Sequence, residues 1–578
     1  MEDFDIHIKG GVVVDGTRVP RFKGDVWIKD GKIAQIGGRV NGGAEQTIDA
    51  DGLIVAPGFV DLHTHYDAQI RWDPYCTISG WHGVTSVVLG NCGFGFAPCK
   101  PDFVERSMRT MTRTEAIPYD SIREGVLPVW DWETMPEYLD NLDRIPKGVN
   151  CLQYMPLVCL VTYVMGLEAA KSRPATKAEQ QEMQRLLNEG MDAGLAGFSY
   201  QRRGPNSVQS DVDGTPMVTD TMCDEDLLAL AQVLADRDEG FIQVSESTGD
   251  READMAFIEK LAGVSGRPVL WNTILPARRN PAVHREPIEW LGRCWDKGLQ
   301  VYGQCAIGRA GYAFTLEHWN LYDTSPEWRA ITTGDKEEKR AKMSDPDLRA
   351  KLVAAHDTED KRLRQIQSAV GGQVEALVIQ GVNRQQDLQK YVGKSVGQIA
   401  EEENKHVIEV MLDLTLAGDL NVEFLGPDKG SNADFMTEMM LNPYCLPGVS
   451  DGGAHTKFFT GGAWPTDILR WLVRDEGKVT LEEAHYRISA LAAHAAGFKH
   501  RGFLREGAGA DVVVYDMEEL DIDPSWVGEV SHDLPGNEWR RIQRAKGYRS
   551  IIVNGEETFS DGKCTGATPG RLLRHGKG

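Results

Sequence analysis

The feature that most restricts the fold is an alternation. Between about residue 58 and residue 500, short apolar runs are each followed, after a variable stretch, by helix-favouring sequence. The runs are FVDLHTH, TSVVLGN, CLQYMPLVCLV, AGFSY, GFIQVSE, PVLWNTI, LQVYGQC and PGVSDGG, and TKAEQQEMQRLLNEG and LLALAQVLADR are typical of the helical text between them. Such alternation predicts an α/β architecture with parallel strands, and a stretch of this length favours a closed (β/α)8 TIM barrel. Outside it the pattern changes. From Asp5 to Ile54, and again in ADVVVYD (Ala510 to Asp516) and SIIVNGEETFSDGK (Ser550 to Lys563), β-rich runs are set off by D-G and G-G steps. These predict a small β-sandwich domain built from both chain ends. The expected division is 1–57 and 501–578 for the two parts of that domain, around a barrel at 58–500.

One segment interrupts the alternation. From about 319 to 406 the chain is polar, dense in mixed charge and helical in period, as in DKEEKRAKMSDPDLRAKLVAAHDTEDKRLRQIQ. It predicts a helical insertion lying over or beside the barrel mouth, where barrel enzymes carry their loop elaborations. VAAH, ALVIQG and VIEVML supply apolar patches for docking and a late barrel strand.

A formal net charge of −23 over 578 residues narrows the partners. It repels phosphate backbones and anionic bilayers, which argues against nucleic acid and membrane surfaces. An anionic substrate must then be drawn by local positive groups. No run of about eighteen apolar residues occurs, and MEDFDIHIKGGVVVDG enters strand-like text without a basic, then apolar, leader. The expectation is a cytoplasmic protein whose ten cysteines are reduced and mostly buried. A homo-oligomer is compatible with all of this.

Chemistry concentrates at strand ends. In Asp61-Leu62-His63-Thr64-His65, the period of two points His63 and His65 the same way and Thr64 the other. Inside a barrel that shared direction is the axis, so two imidazoles aimed at one point make half of a metal site. Asp451, in PGVSDGG, ends the last strand, where a carboxylate can bind zinc and take the proton of an attacking water. Cys92, in GNCG, ends the second strand in the same manner, and a thiolate is a good zinc ligand.

Together PGFVDLHTH, GVTSVVLGNCG, SDGGAH, RGFLREGAGADVVVYD and DGKIAQIG resemble the amidohydrolase superfamily. GNCG and VNGEETFSDGKCTGATPGRLLR are similar to its N-acyl-D-amino-acid deacylase (D-aminoacylase) branch. The resemblance runs over nearly the whole chain and implies a (β/α)8 barrel with a β-sandwich and a zinc site at the barrel mouth. Residue by residue, it implies that His63 and His65 bind the metal, that Cys92 stands in the place of a bridging ligand, and that Asp451 is ligand and base. This sequence departs from the branch at three places. Deacylases of the branch usually carry two more histidine ligands on middle strands, which read GFIQVSES and RPVLWNTI here, without histidine. MPLVCLV stands where a His-Ser pair is usual, and the lysine that commonly follows the second of those histidines is absent. One zinc is therefore expected rather than two.

The expected reaction is hydrolysis of a C–N amide-type bond in a small-molecule substrate, an N-acyl amino acid or related amide. Carbamate, cyclic amide, ester or lactone hydrolysis, and a non-catalytic binding barrel, are the alternatives. Candidate substrate contacts are Lys457, Arg202 and Arg203 for a carboxylate, Ser245 and Asn272 on the strands that lack histidine, and His455 just past Asp451. His82 is expected to pack rather than to react.

Overall fold

The computed structural model describes residues 2–575 apart from 39, 206, 208, 277–279, 319–321, 323–324, 359–372, 383–384, 427–430 and 525. Eight parallel strands form the barrel. They are β1 (Phe59–Asp61), β2 (Val84–Leu89), β3 (Asn150–Gln153, continued by Met155–Pro156), β4 (Gly197–Arg202), β5 (Phe241–Glu246), β6 (Val269–Ile274), β7 (Val301–Cys305) and β8 (Cys445–Pro447). Pairing runs β1-β2-β3 and β3-β4-β5-β6-β7-β8, parallel throughout. The ring closes past the strand ends, where Thr64 bridges Gly452, the His65 N–H donates to the Gly452 carbonyl at 2.7 Å, and the Asp451 N–H donates to the His63 carbonyl at 3.2 Å. Strands covered on both faces must be apolar along their length. VTSVVL of β2 is accordingly buried at every residue.

All eight runs read from the sequence touch a barrel strand, but three boundaries differ: FVDLHTH is strand only to Asp61, and PGVSDGG shares only Pro447 with β8, so Asp451 lies past its end. CLQYMPLVCLV is strand only to Pro156, and Leu157–Met165 is a helix. An uninterrupted apolar run does not distinguish a buried strand from a buried helix. Outer helices are set by local signals: Thr134 with Glu137, and Thr176 with Glu179, form reciprocal capping boxes.

Both chain ends meet in one nine-stranded sheet. Its seam is Ile54–Pro57 against Val512–Tyr515, antiparallel, with Val513 opposite Ala56. Ile6, Ile8, Val26, Ile28, Val55, Val512, Val514 and Ile552 form a core distinct from that of the barrel.

The insertion is not helical throughout, and it is wider than 319–406. Helices Pro326–Thr332, Lys336–Ser344, Pro346–Asp357, Val396–Glu403 and Val407–Ala417 surround a three-stranded antiparallel sheet of Ala313–Phe314, Glu423–Leu425 and Val378–Gly381. The strand in ALVIQG thus belongs to this small sheet rather than to the barrel, and VIEVML is helical. The end of the charged run, 359–367, lies outside the described residues. The unit has its own apolar core, which includes Tyr322, Trp328, Ile331, Met343, Leu352 and Phe424 and extends to Ala116 and Phe458.

Candidate metal centre

The closure that completes the barrel also assembles the site. The backbone bonds between the ends of β1 and β8 bring His63 and His65 against Asp451, so that Asp451 Oδ1 stands 3.4 Å from His63 Nε2 and 3.7 Å from His65 Nε2. Gly453 permits the approach: at φ +91°, a Cβ there would sit 2.6 Å from the His65 carbonyl. Thr64 points the other way, its hydroxyl donating to the Val88 carbonyl at 2.7 Å. The Asn91 amide donates to the carbonyls of Thr64 and Val88, which fixes the turn at the end of β2 against the end of β1. That turn presents Cys92, whose Sγ lies 3.4 Å from His63 Nε2. His63, His65 and Cys92 are all buried, with ligand atoms within 4.8 Å of one another.

Surrounding groups orient these donors. Gln304 on β7 meets His63 Nδ1 at 3.4 Å, leaving Nε2 towards the site. Gln243 accepts the Cys92 N–H at 2.6 Å, and Ser245 Oγ lies 3.1 Å from the Cys92 sulfur. Gln243, Ser245 and Asn272 are hydrogen-bonded to one another on β5 and β6, a polar network on the two strands that carry no histidine.

Three of the residues here, Cys92, Asp451 and His455, have positive φ, at 57°, 48° and 56°. Each such non-glycine conformation costs on the order of 1–3 kcal/mol and persists only where the surroundings impose it. The Asp451 side chain is 29% exposed, whereas His63 and His65 are 1% and 2% exposed. The carboxylate is therefore the donor that faces incoming solvent or substrate.

Electrostatics match the donor set. Burial pushes the Cys92 thiol up, but the imidazoles of His63 and His65 outweigh it and hold the group at about 5. Burial likewise opposes ionisation of Asp451, yet its hydrogen bond to His65 and the nearby His63 keep it well below the usual carboxylate range. Soft sulfur and two imidazoles within reach of one point, with a carboxylate against both rings, suit zinc.

Sequence reasoning missed Glu115. It follows the helix Val104–Thr114, in the long loop after β2, and is 1% exposed. Its Oε2 lies 3.6 Å from the Nε2 of both His65 and His455. Burial pushes its carboxyl up to about 7, against the pull of His65, and burial pushes His455 down to about 4. TRTEAIP matches no motif, and the only signal available was its place in a loop at the catalytic face of the barrel.

The other substrate-contact candidates divide. Arg202 is held between Glu246 and Asp224, at 2.7 Å from each. Lys457 pairs with Glu538 at 2.9 Å, on the hairpin of Glu529–Leu534 and Glu538–Ile542. Arg203 lies near enough for its charge to act on His455, and its Nε is buried without a hydrogen-bond partner among the described residues. His82 is packed, its ring bonded to the Thr466 hydroxyl at 2.7 Å and to the Gln543 carbonyl at 3.2 Å.

A sequence model described as "Amidohydrolase family" matches residues 46–563. A D-aminoacylase of Alcaligenes xylosoxydans xylosoxydans is 26% identical, over 99% of this chain and 98% of its own length. Among solved structures, an N-acyl-D-glutamate deacylase from Bordetella bronchiseptica, complexed with zinc and a phosphonate inhibitor, superposes with a TM-score of 0.64. It is 23% identical and is covered over 100% of its chain by 99% of this one. A crystal structure of D-aminoacylase gives 0.65 at 21% identity with the same coverage. These two likenesses establish the fold.

Proposed function

The chain belongs to the amidohydrolase family, and from that premise we propose that it is a zinc-dependent hydrolase of N-acyl amino acids or closely related amides. The observation that carries the reading is the convergence of His63, His65, Cys92 and Asp451 at the barrel mouth. The His63–Asp451, His65–Asp451 and His63–Cys92 separations of 3.4–3.7 Å are those of donors that share one ion with bonds of about 2.0–2.3 Å. The D-aminoacylase relative, aligned along nearly its whole length, supports an amide as the bond cut. Zinc bound there would supply Lewis acidity, lowering the pKa of water towards ~7 and polarising the scissile carbonyl.

The residues around the ion divide the remaining work. Asp451, ionised and partly exposed, takes the proton of the attacking water and delivers it to the leaving nitrogen. Gln304 keeps the His63 ring in place, and Gln243 holds the Cys92 turn. Arg203 is the cation that receives a substrate carboxylate, since Arg202 and Lys457 are already paired.

The direct test is metal content. Dialysed protein is expected to retain close to one tightly held zinc per chain. Two equivalents that both resist dialysis would overturn the one-zinc reading, and none after reconstitution would overturn the zinc-hydrolase reading itself. A second test addresses the substrate. A hydrogen bond to a charged group contributes about 1.5–3 kcal/mol, so Arg203→Gln should raise KM for N-acyl amino acids by roughly 10–100-fold with kcat little changed. The matched substrate with its carboxylate amidated should be unaffected. An equal response of both substrates would exclude Arg203 as the carboxylate contact.

A further inference from the structure

His63, His65 and Cys92, with Asp451 against both rings, account for one zinc, and the site contains further donors. Glu115, 23 residues past Cys92 in the loop after β2, and His455, in the loop after β8, lie beside His65, and the one-zinc reading leaves both unused. The Glu115 carboxylate is 1% exposed, and neither of its oxygens has a hydrogen-bond partner among the described residues. An ionised carboxylate in that condition is costly unless a cation compensates it. Its Oε2 stands 3.6 Å from His455 Nε2 and 3.6 Å from His65 Nε2. Donors sharing one tetrahedral ion with bonds of about 2.0–2.2 Å are separated by roughly 3.3–3.6 Å. The pair is also fixed through the backbone, since the His455 N–H donates to the Glu115 carbonyl at 2.6 Å.

The geometry points to a second cation position, formed by Glu115 and His455 beside Asp451. Asp451 stands 3.7 Å from His65 Nε2, the ring that Glu115 also approaches, so the two positions adjoin. The middle strands present Gln243, Ser245 and Asn272, already bonded to one another, and no histidine. The added position therefore lies on the loops after β2 and β8, not on β5 and β6. Its oxygen–imidazole donors are harder than the thiolate-containing set and suit a borderline or hard divalent ion held more weakly than the zinc at Cys92.

This inference rests on the proposed zinc centre, and the experiment separates the two. Full-length protein stripped with a chelator is titrated with cobalt(II), following heat, bound metal and the thiolate-to-cobalt absorption. The wild-type chain should take up two equivalents, the first with thiolate absorption and the second without it. Glu115→Gln should keep the first equivalent and its absorption unchanged, and bind the second at least about tenfold more weakly. His455→Asn should do the same, which guards against a folding defect peculiar to one variant. Saturation of the wild type at one equivalent, or two undiminished equivalents in both variants, would overturn the second position alone. Absence of the first equivalent and its absorption would overturn the zinc centre and this inference with it.

Discussion

Asp451→Asn is expected to lower kcat by about 10²–10⁴-fold, the usual contribution of a positioned acid–base group. The amide cannot accept the proton of water or return it to the leaving nitrogen. It can still occupy the same space between the two imidazoles, and Asp451 is not part of any apolar core. The thermal midpoint should therefore move little, in contrast to the rate. Zinc content measured on the same preparation separates loss of the base from loss of a ligand, since His63, His65 and Cys92 remain. A variant retaining more than about a tenth of the wild-type rate would transfer the role of base to another group, and Glu115, 3.6 Å from His65 Nε2, is a candidate.

The sequence made some of this legible for identifiable reasons. H-x-H at a strand end encodes its own geometry, because a period of two fixes where both rings point; the structure places both within reach of Asp451. Barrel closure brings the ends of the first and last strands together whatever lies between, so residues 388 positions apart meet without a local signal. Glu115 had no such logic. It reaches His65 only because the loop after β2 turns back beneath the insertion, with Ala116 in the insertion core and at positive φ. The insertion's own sheet was not legible, and its ALVIQG strand was assigned to the barrel, because its three strands are two to four residues long, too short to show a period. Arg202 and Lys457 illustrate the converse. A cation near a strand end invites a substrate role, but its partners Glu246 and Glu538 come from another strand and from the C-terminal hairpin, which sequence order does not reveal.

Trp328→Ala should separate the insertion from the barrel in stability and, through that, in activity. Trp328 is 1% exposed and packs against Tyr322 with ring centroids 4.8 Å apart, inside a core that contains no barrel strand residue. Truncating a buried tryptophan costs about 3–5 kcal/mol, enough to unfold a unit of this size locally. The barrel core is a separate cluster and should keep its own, higher transition. Calorimetry should therefore resolve two unfolding steps where the wild type shows one. The functional consequence follows from what the two units share. Phe458 lies in the insertion core and also packs its ring 5.0 Å from that of His455, and Ala116 adjoins Glu115. With the insertion melted, both lose their backing and the mouth opens to water, so kcat/KM should fall in step with the first transition while the first zinc equivalent stays bound. If activity instead survived to the second transition, the insertion would be a peripheral unit with no part in holding the site closed.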